Sequence, residues 1–352
     1  MSGESTGERT VGVAVLGLGF MGATHLGAYR RAAEAGRSVR VRAVSDRSPE
    51  RLEGRVGAVG NLATEDSGAS LFDPGELLAT PDIDRVLGAD DVDLVSICTP
   101  TDTHVDLAVR ALEAGKHVLV EKPVALVASD VERLRAAEAA AAGPRCIPAM
   151  CMRFWPGWTW LQDVIATKRF GRTRSVCFER LSPVPAWSEG FYLDEARSGG
   201  AWIDLHVHDA DFVRFCFGEP RQVEVVGDRS LALARYVFED GPARVTAEGG
   251  WIAAPSFEFR MAYRAVFDEA VAEFDSRLDP PLRVAGASGS VAVELPEGTG
   301  YDAEIEHAVD VASGCCEPAV TVDDAVRTTR LLECELDSLV TGRPVDFLAD
   351  AS

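Results

Sequence analysis

Residues Val11–Leu16 form a short, wholly apolar run that passes at once into Gly17-Leu18-Gly19-Phe20-Met21-Gly22. A helical pattern continues to about Ala35 and stops at Gly36, and Val39–Ser45 is a second strand-like run ending in Asp46. Few folds accept strand, glycine turn, helix, strand and acid in that order, because each glycine answers its own steric demand. Gly17 permits the tight turn, Gly19 lets a ligand approach the backbone, and Gly22 lets helix and strand pack closely. The helix then starts with free N–H groups and a partial positive charge, a seat for a pyrophosphate. The arrangement predicts a doubly wound parallel sheet that binds a dinucleotide, with Gly17, Gly19, Phe20, Met21 and Gly22 at the cofactor. Asp46 is placed to accept hydrogen bonds from ribose hydroxyls, which favours NAD; Arg47 beside it suits a 2′-phosphate, so NADP is the alternative.

Strand and helix keep alternating. From Arg51 to Asp91 the pattern loosens into one helix, a weak strand and an acidic surface stretch. Val92–Cys98 resumes as a strong strand and leads into Thr99-Pro100-Thr101-Asp102-Thr103-His104. After an amphipathic helix over Val105–Ala114, the buried strand His117–Val120 delivers Glu121-Lys122-Pro123. In open parallel sheets, ligands bind at the C-terminal edge of the strands, where these motifs fall. Lys122 is conspicuous there: the chain has three lysines (116, 122 and 168) against 32 arginines, 35 minus 3. An ammonium is a compact donor whose pKa can be lowered for proton chemistry, unlike a guanidinium. The competing reading is a strand-end lysine that snorkels to water.

At 352 residues the chain should form about two domains, here 1–124 and 125–352. Its formal charge of −21 argues against nucleic acid and against an anionic membrane surface. Met1–Thr10 lacks an apolar signal core and no apolar run reaches about 18 residues, which leads to the expectation of a cytoplasmic globular protein. Eight cysteines include no C-x-x-C pair and no zinc spacing with histidine, so they read as reduced core residues and no metal is expected.

A second motif lies at Ser198-Gly199-Gly200-Ala201-Trp202-Ile203-Asp204-Leu205-His206-Val207-His208-Asp209-Ala210-Asp211. On a helix, Asp204, His208 and Asp211 are spaced i, i+4 and i+7 and share a face. Leu205, Phe212 and Cys216 would form the packing stripe on another face. A histidine one turn from a carboxylate is an oriented base, since the acid selects the tautomer and stabilises the imidazolium. The bland alternative is a helix-start aspartate with a satisfied core histidine. His206-Val207-His208 also matches a metal-binding H-x-H, but that pattern needs a strand, and the Gly-Gly lead favours a helix.

Together, Gly17–Gly22, Thr99-Pro100 with His104, Ala114-Gly115-Lys116-His117-Val118, Glu121-Lys122-Pro123 and the glycine-led D-x-x-x-H-x-x-D resemble the glucose-fructose oxidoreductase/inositol dehydrogenase family over about Val11 to Phe347. The resemblance implies an N-terminal Rossmann domain and a C-terminal α+β domain with a large, mostly antiparallel open sheet, whose outer face makes a homodimer or homotetramer. It implies an NAD(P)-dependent oxidoreductase acting on a secondary alcohol of a sugar, cyclitol or related polyol. In this reading His208 takes the hydroxyl proton, Lys122 steadies the alkoxide, Asp204 orients substrate or base, and Glu121 contacts the nicotinamide ribose. Thr99, Pro100 and His104 complete the cofactor side. One departure is His206, where many relatives carry glycine; it is a candidate substrate contact, with the sheet face as its alternative. Arg153 and Arg180, Trp187 in the loop Leu181–Trp187, and Tyr301 are further substrate-binding candidates. The same residues would also serve a redox-neutral enzyme using NAD transiently, or a non-catalytic NAD-binding regulator.

The second domain is expected to open with a helix over Ser129–Ala142, Ser129 and Glu132 forming a capping box. Strands are predicted at 175–180, 222–226, 234–238, 245–251, 258–263 and 271–275, and Thr321-Val322-Asp323-Asp324 caps the last helix.

Overall fold

The computed structural model describes residues 9–55, 70–185 and 190–347. Six parallel strands, β1 (Val11–Leu16), β2 (Val39–Ser45), β3 (Leu78–Ala79), β4 (Leu94–Ile97), β5 (His117–Val120) and β6 (Cys146–Pro148), stand in the order β3-β2-β1-β4-β5-β6. β1 and β4 are buried at every residue, as expected of parallel strands covered on both faces. The covering helices are α1 (Phe20–Glu34), α2 (Pro49–Leu52), α3 (Ile83–Leu87), α4 (His104–Glu113) and α5 (Ala128–Ala140). Strand order reverses between β1 and β4, so the crevice at their C-terminal ends is the switch point of the sheet.

Two expectations change here. The sheet continues past residue 124, because β6 adds its far strand; three residues are too short to register as a periodic pattern. Helix α5 begins at Ala128 without a capping box, and the Glu333 carboxylate accepts the Ala128 N–H at 2.9 Å instead. That cap comes from the far end of the chain and leaves no local signature.

After α6 (Pro156–Thr167) the chain builds nine strands: β7 (Thr173–Pro183), β8 (Gln222–Gly227), β9 (Leu231–Val237), β10 (Arg244–Ile252), β11 (Arg260–Phe267), β12 (Ala270–Asp275), β13 (Leu282–Gly286), β14 (Gly289–Ala292) and β15 (Val345–Asp346). Their order is β14-β13-β12-β11-β7-β10-β9-β8-β15, antiparallel except for β7 against β10. Along β7 every second residue from Val176 to Ser182 is buried, so one face packs under helices and the other looks outward. Helices α8 (Gly200–Asp204), α9 (Val207–Phe217) and α11 (Val322–Thr341) lie on that face, α7 (Glu195–Ser198) leads into α8, and α10 (Gly300–Ala312) packs instead on α1 in the core of the parallel-sheet half.

Capping boxes start α10 (Thr299 with Asp302) and α11 (Thr321 with Asp324). Helix α11 puts Val322, Ala325 and Val326 into the core under the parallel sheet and Leu331 and Leu332 into the core under the large one. One rigid element thus holds the two halves of the cleft in register. Among the described residues no helix is long and apolar enough to cross a membrane.

Candidate active site

The glycine turn is shaped by close contacts and by open space. A Cβ on Gly17, whose φ is +86°, would lie 2.7–2.9 Å from the Cys98–Thr99 backbone, and one on Gly22 would lie 1.9 Å from the Gly17 carbonyl oxygen. Nothing lies within 4 Å of a Cβ on Gly19, so that backbone opens to solvent. Gly19 is also the N-cap of α1, with no capping side chain and no acid in the first turn; Phe20 and Met21 occupy that turn, half-buried. A helix start without a capping side chain, open to free space at Gly19, makes a cradle that fits a pyrophosphate. Asp46 accepts from Leu18 N–H (2.6 Å) and Ser48 N–H (2.8 Å), which ties the end of β2 to the glycine turn. Arg51, not Arg47, is the arginine in contact with it, at 3.4 Å. His104 bridges the carbonyls of Thr99 (2.7 Å) and Pro123 (2.9 Å), lashing the turn after β4 to the one after β5.

Across the crevice, Lys122 Nζ donates to the Asp204 backbone carbonyl (2.8 Å) and to its Oδ1 (3.0 Å), a contact between the two domains. Both side chains retain some exposure, 16% and 14%. Burial alone pulls the ammonium down, but Asp204, Tyr192 and Glu121 outweigh it and its pKa ends above the ordinary lysine value. Lys122 therefore stays a cation. An ammonium has three N–H groups, and with two on Asp204 one remains for a ligand.

His208, on α9, is shifted the other way. Burial, then the charges of Lys122 and Arg180, push its pKa well below the ordinary imidazole value, so it stands neutral. Its Nδ1 is enclosed with no hydrogen-bond partner among the described residues. Neither Asp204 nor Asp211 orients it, because the helix expected over this segment is broken: α8 ends at Asp204 and α9 starts at Val207. A permanent cation beside a neutral base is the pairing needed to remove a proton and hold the oxyanion left behind.

Residues 11–147 match the oxidoreductase family with an NAD-binding Rossmann fold, and residues 158–292 match the Gfo/Idh/MocA C-terminal domain. The chain belongs to this family. It is 30% identical to inositol 2-dehydrogenase 1 of Mycolicibacterium vanbaalenii, with 95% of each chain covered. It is 28% identical to inositol 2-dehydrogenase of Rhizobium meliloti, over 83% of this chain and 80% of that one. In fold it resembles levoglucosan dehydrogenase solved with NADH and L-sorbose (TM-score 0.81, 19% identity, 96% and 99% covered). It also resembles aldose-aldose oxidoreductase from Caulobacter crescentus with glycerol (TM-score 0.80, 22% identity, 96% and 100% covered).

As a Gfo/Idh/MocA oxidoreductase, the chain departs from expectation at three substrate-binding candidates. Arg180 grips Asp209 bidentately at 2.8 and 2.9 Å, both side chains 1% exposed, so its guanidinium does not reach the cleft. Arg153 does the same with Asp211 (2.8 and 2.7 Å), adds Asp324 at 3.2 Å and lies over the Phe215 ring. His206 faces the sheet: it is 0% exposed, stacks on Trp202, and has Tyr236 Oη at 3.1 Å and Glu335 at 3.2 Å. These three are anchors, buried because a broken helix needs tertiary partners to hold its shape. Tyr301 is half-buried in the first turn of α10 with its ring edge-on to Trp155. Trp187 lies outside the described residues.

Sequence reasoning missed His25, whose Nε2 lies 3.0 Å from Glu121 Oε1 while Cys98 Sγ lies 3.4 Å from its Nδ1. The ring thus links the carboxylate to the thiol. The other oxygen of Glu121 accepts the Lys122 N–H at 3.0 Å. A polar residue on the sheet-facing side of α1 was the available signal. Tyr192, close enough to Lys122 to act on its charge, was missed as well and left no motif.

Proposed function

We propose that this family member is an NAD-dependent dehydrogenase that oxidises a secondary alcohol of a sugar, cyclitol or related polyol. The observation that carries the reading is Lys122 held by Asp204 across the domain boundary at the C-terminal edge of the parallel sheet, its charge felt by the neutral His208. NAD, when bound, supplies the hydride acceptor. The free N–H of Lys122 meets the substrate hydroxyl oxygen and stabilises the negative charge that develops on it. His208 accepts the hydroxyl proton, a role that requires the neutral ring it already has. Asp204 aims the ammonium, and Glu121, beside Lys122, accepts from the nicotinamide ribose.

Asp46, held against the glycine turn, supports NAD over NADP, since a 2′-phosphate would meet its carboxylate. The names of the relatives, inositol 2-dehydrogenase and levoglucosan dehydrogenase, support the substrate class. Self-association through the outer face of the large sheet, where Arg260 sits between Glu179 and Asp275, belongs to the same proposal; sedimentation at two concentrations decides it.

A panel of cyclitols, sugars and polyols, followed at alkaline pH by the absorbance of reduced cofactor, tests the function. Reduction of NAD with at least one of them is expected. NAD bound but never reduced by any of them would sink the dehydrogenase.

A further inference from the structure

Behind Glu121 a group of buried polar side chains closes the junction of the two domains. His25 and Tyr29 reach it from α1, the half-buried Cys98 from the end of β4, Cys151 from the turn after β6, and Glu304 from α10. Helix α10 packs on α1 and on the turn after β6, which brings the group together, and burial raises the Tyr29 phenol and the Cys98 and Cys151 thiols.

Within the group most partners are taken. Glu121 is bonded to His25, Cys98 faces the second nitrogen of that ring, and Tyr29 pairs with Ser96 at 2.7 Å. Glu304 is the exception. It is 0% exposed, and neither carboxyl oxygen has a hydrogen-bond partner among the described residues. No arginine, lysine or histidine among the described residues forms an ion pair with it, and the charge it feels is that of Glu121, of like sign. A bare carboxylate there would carry a heavy desolvation cost with nothing to offset it. The group keeps its proton instead, and burial followed by Glu121 pushes its carboxyl well above the ordinary range. A protonated carboxyl has one O–H to give, and the buried Glu121 carboxylate is the charged acceptor at hand.

We propose that Glu304 is a positioning residue, an uncharged carboxylic acid that gives its O–H to Glu121, directly or through one bound water, and so keeps Glu121 in place for the nicotinamide ribose. A neutral donor secures Glu121 without cancelling the negative charge that attracts ribose hydroxyls and the Lys122 ammonium. The proposal rests on the reading of Glu121 given above.

Two measurements decide it. Infrared spectra of the cofactor-free protein at about pH 8, where an ordinary glutamate is fully ionised, should show a carboxylic-acid carbonyl band that shifts in D2O and is missing from Glu304→Gln. A parent-minus-variant spectrum holding only carboxylate bands overturns the proposal. Calorimetric titration with NAD then reads the positioning. Glu304→Gln, which keeps a donor, should bind within about twofold of the parent, whereas Glu304→Leu, which keeps the bulk, should bind about tenfold more weakly with kcat at saturating cofactor much less changed. A leucine variant that binds NAD as tightly as the parent overturns the positioning role. Should that variant fail to fold, Glu304→Gln still decides through its infrared band and its NAD affinity, where a large loss counts against a simple donor. If the parent binds no NAD, the reading of Glu121 fails and the positioning role with it, while the infrared band still reports independently whether Glu304 holds its proton.

Discussion

Two stretches of chain meet across the cleft and hold their groups by opposite means. The glycine turn at residues 16–22 presents backbone, and what matters there is the absence of atoms: a Cβ at Gly17 or Gly22 would collide with main chain, while Gly19 opens to free space. The stretch at 204–211 presents side chains, and what matters is who holds them. His206 is tied to Tyr236, Asp209 to Arg180, and Asp211 to Arg153 and Thr328, through partners 29 to 117 residues away in the chain. The first stretch carries its own instructions. The second borrows its shape from β7, β9, α11 and the turn after β6, so damage to its anchors should reach stability as well as activity.

The largest effect expected is at such an anchor. Asp209→Ala leaves Arg180 buried and unpaired, and should cost about 3–5 kcal/mol of stability in denaturant titrations. A loss under about 1 kcal/mol would mean that the ion pair is not what holds α9.

Lys122→Met should lower kcat about 10³-fold, about 4 kcal/mol in barrier, while NAD still binds and the fold keeps its stability. The pH profile sharpens this test. A neutral His208 is required, and its lowered pKa should keep the parent active below the ordinary imidazole value of about 6.5. Since the Lys122 charge helps to depress that pKa, the acid limb of kcat/KM should move to higher pH in Lys122→Met. An unmoved limb would separate the two residues.

His206→Gly should destabilise by about 2–3 kcal/mol, through a cavity against Trp202 and the loss of the ring beside Glu335, which keeps Tyr236 as its partner, with KM for the alcohol little changed. A rise in KM without loss of stability would return His206 to the substrate.

At the other stretch the pattern should invert. Gly19→Ala has room for its methyl and an ordinary φ of −74°, so stability should move by less than about 0.5 kcal/mol. Cofactor affinity should nevertheless fall about tenfold or more, about 1.4 kcal/mol, because the methyl stands where phosphate must approach. Equal losses of stability and affinity would erase the contrast between the two stretches.

The two stretches were also unequally legible before folding. Val11–Leu16, the glycine turn, α1 and Asp46 appear in the structure nearly residue for residue as expected, because strand burial, φ above zero and helix starts are demands a residue makes on its immediate neighbours. The capping box at Thr321 was legible for the same reason, and the strands of the large sheet were found except β13, β14 and β15. The face shared by Asp204, His208 and Asp211 was misread, since a regular helix was assumed where α8 and α9 meet at a break.

The sequence alone therefore determined the cofactor fold, the turn that seats a dinucleotide, and the family motifs that bring Lys122, Asp204 and His208 to notice. Only the tertiary structure decided which ionisable side chains face the cleft and which lie in the core. Arg153, Arg180 and His206 look as reactive on paper as Lys122, but each is sequestered by a partner distant in the chain. Charge and type are properties of a residue; burial and pairing are properties of its neighbours, and those are assigned by long-range packing.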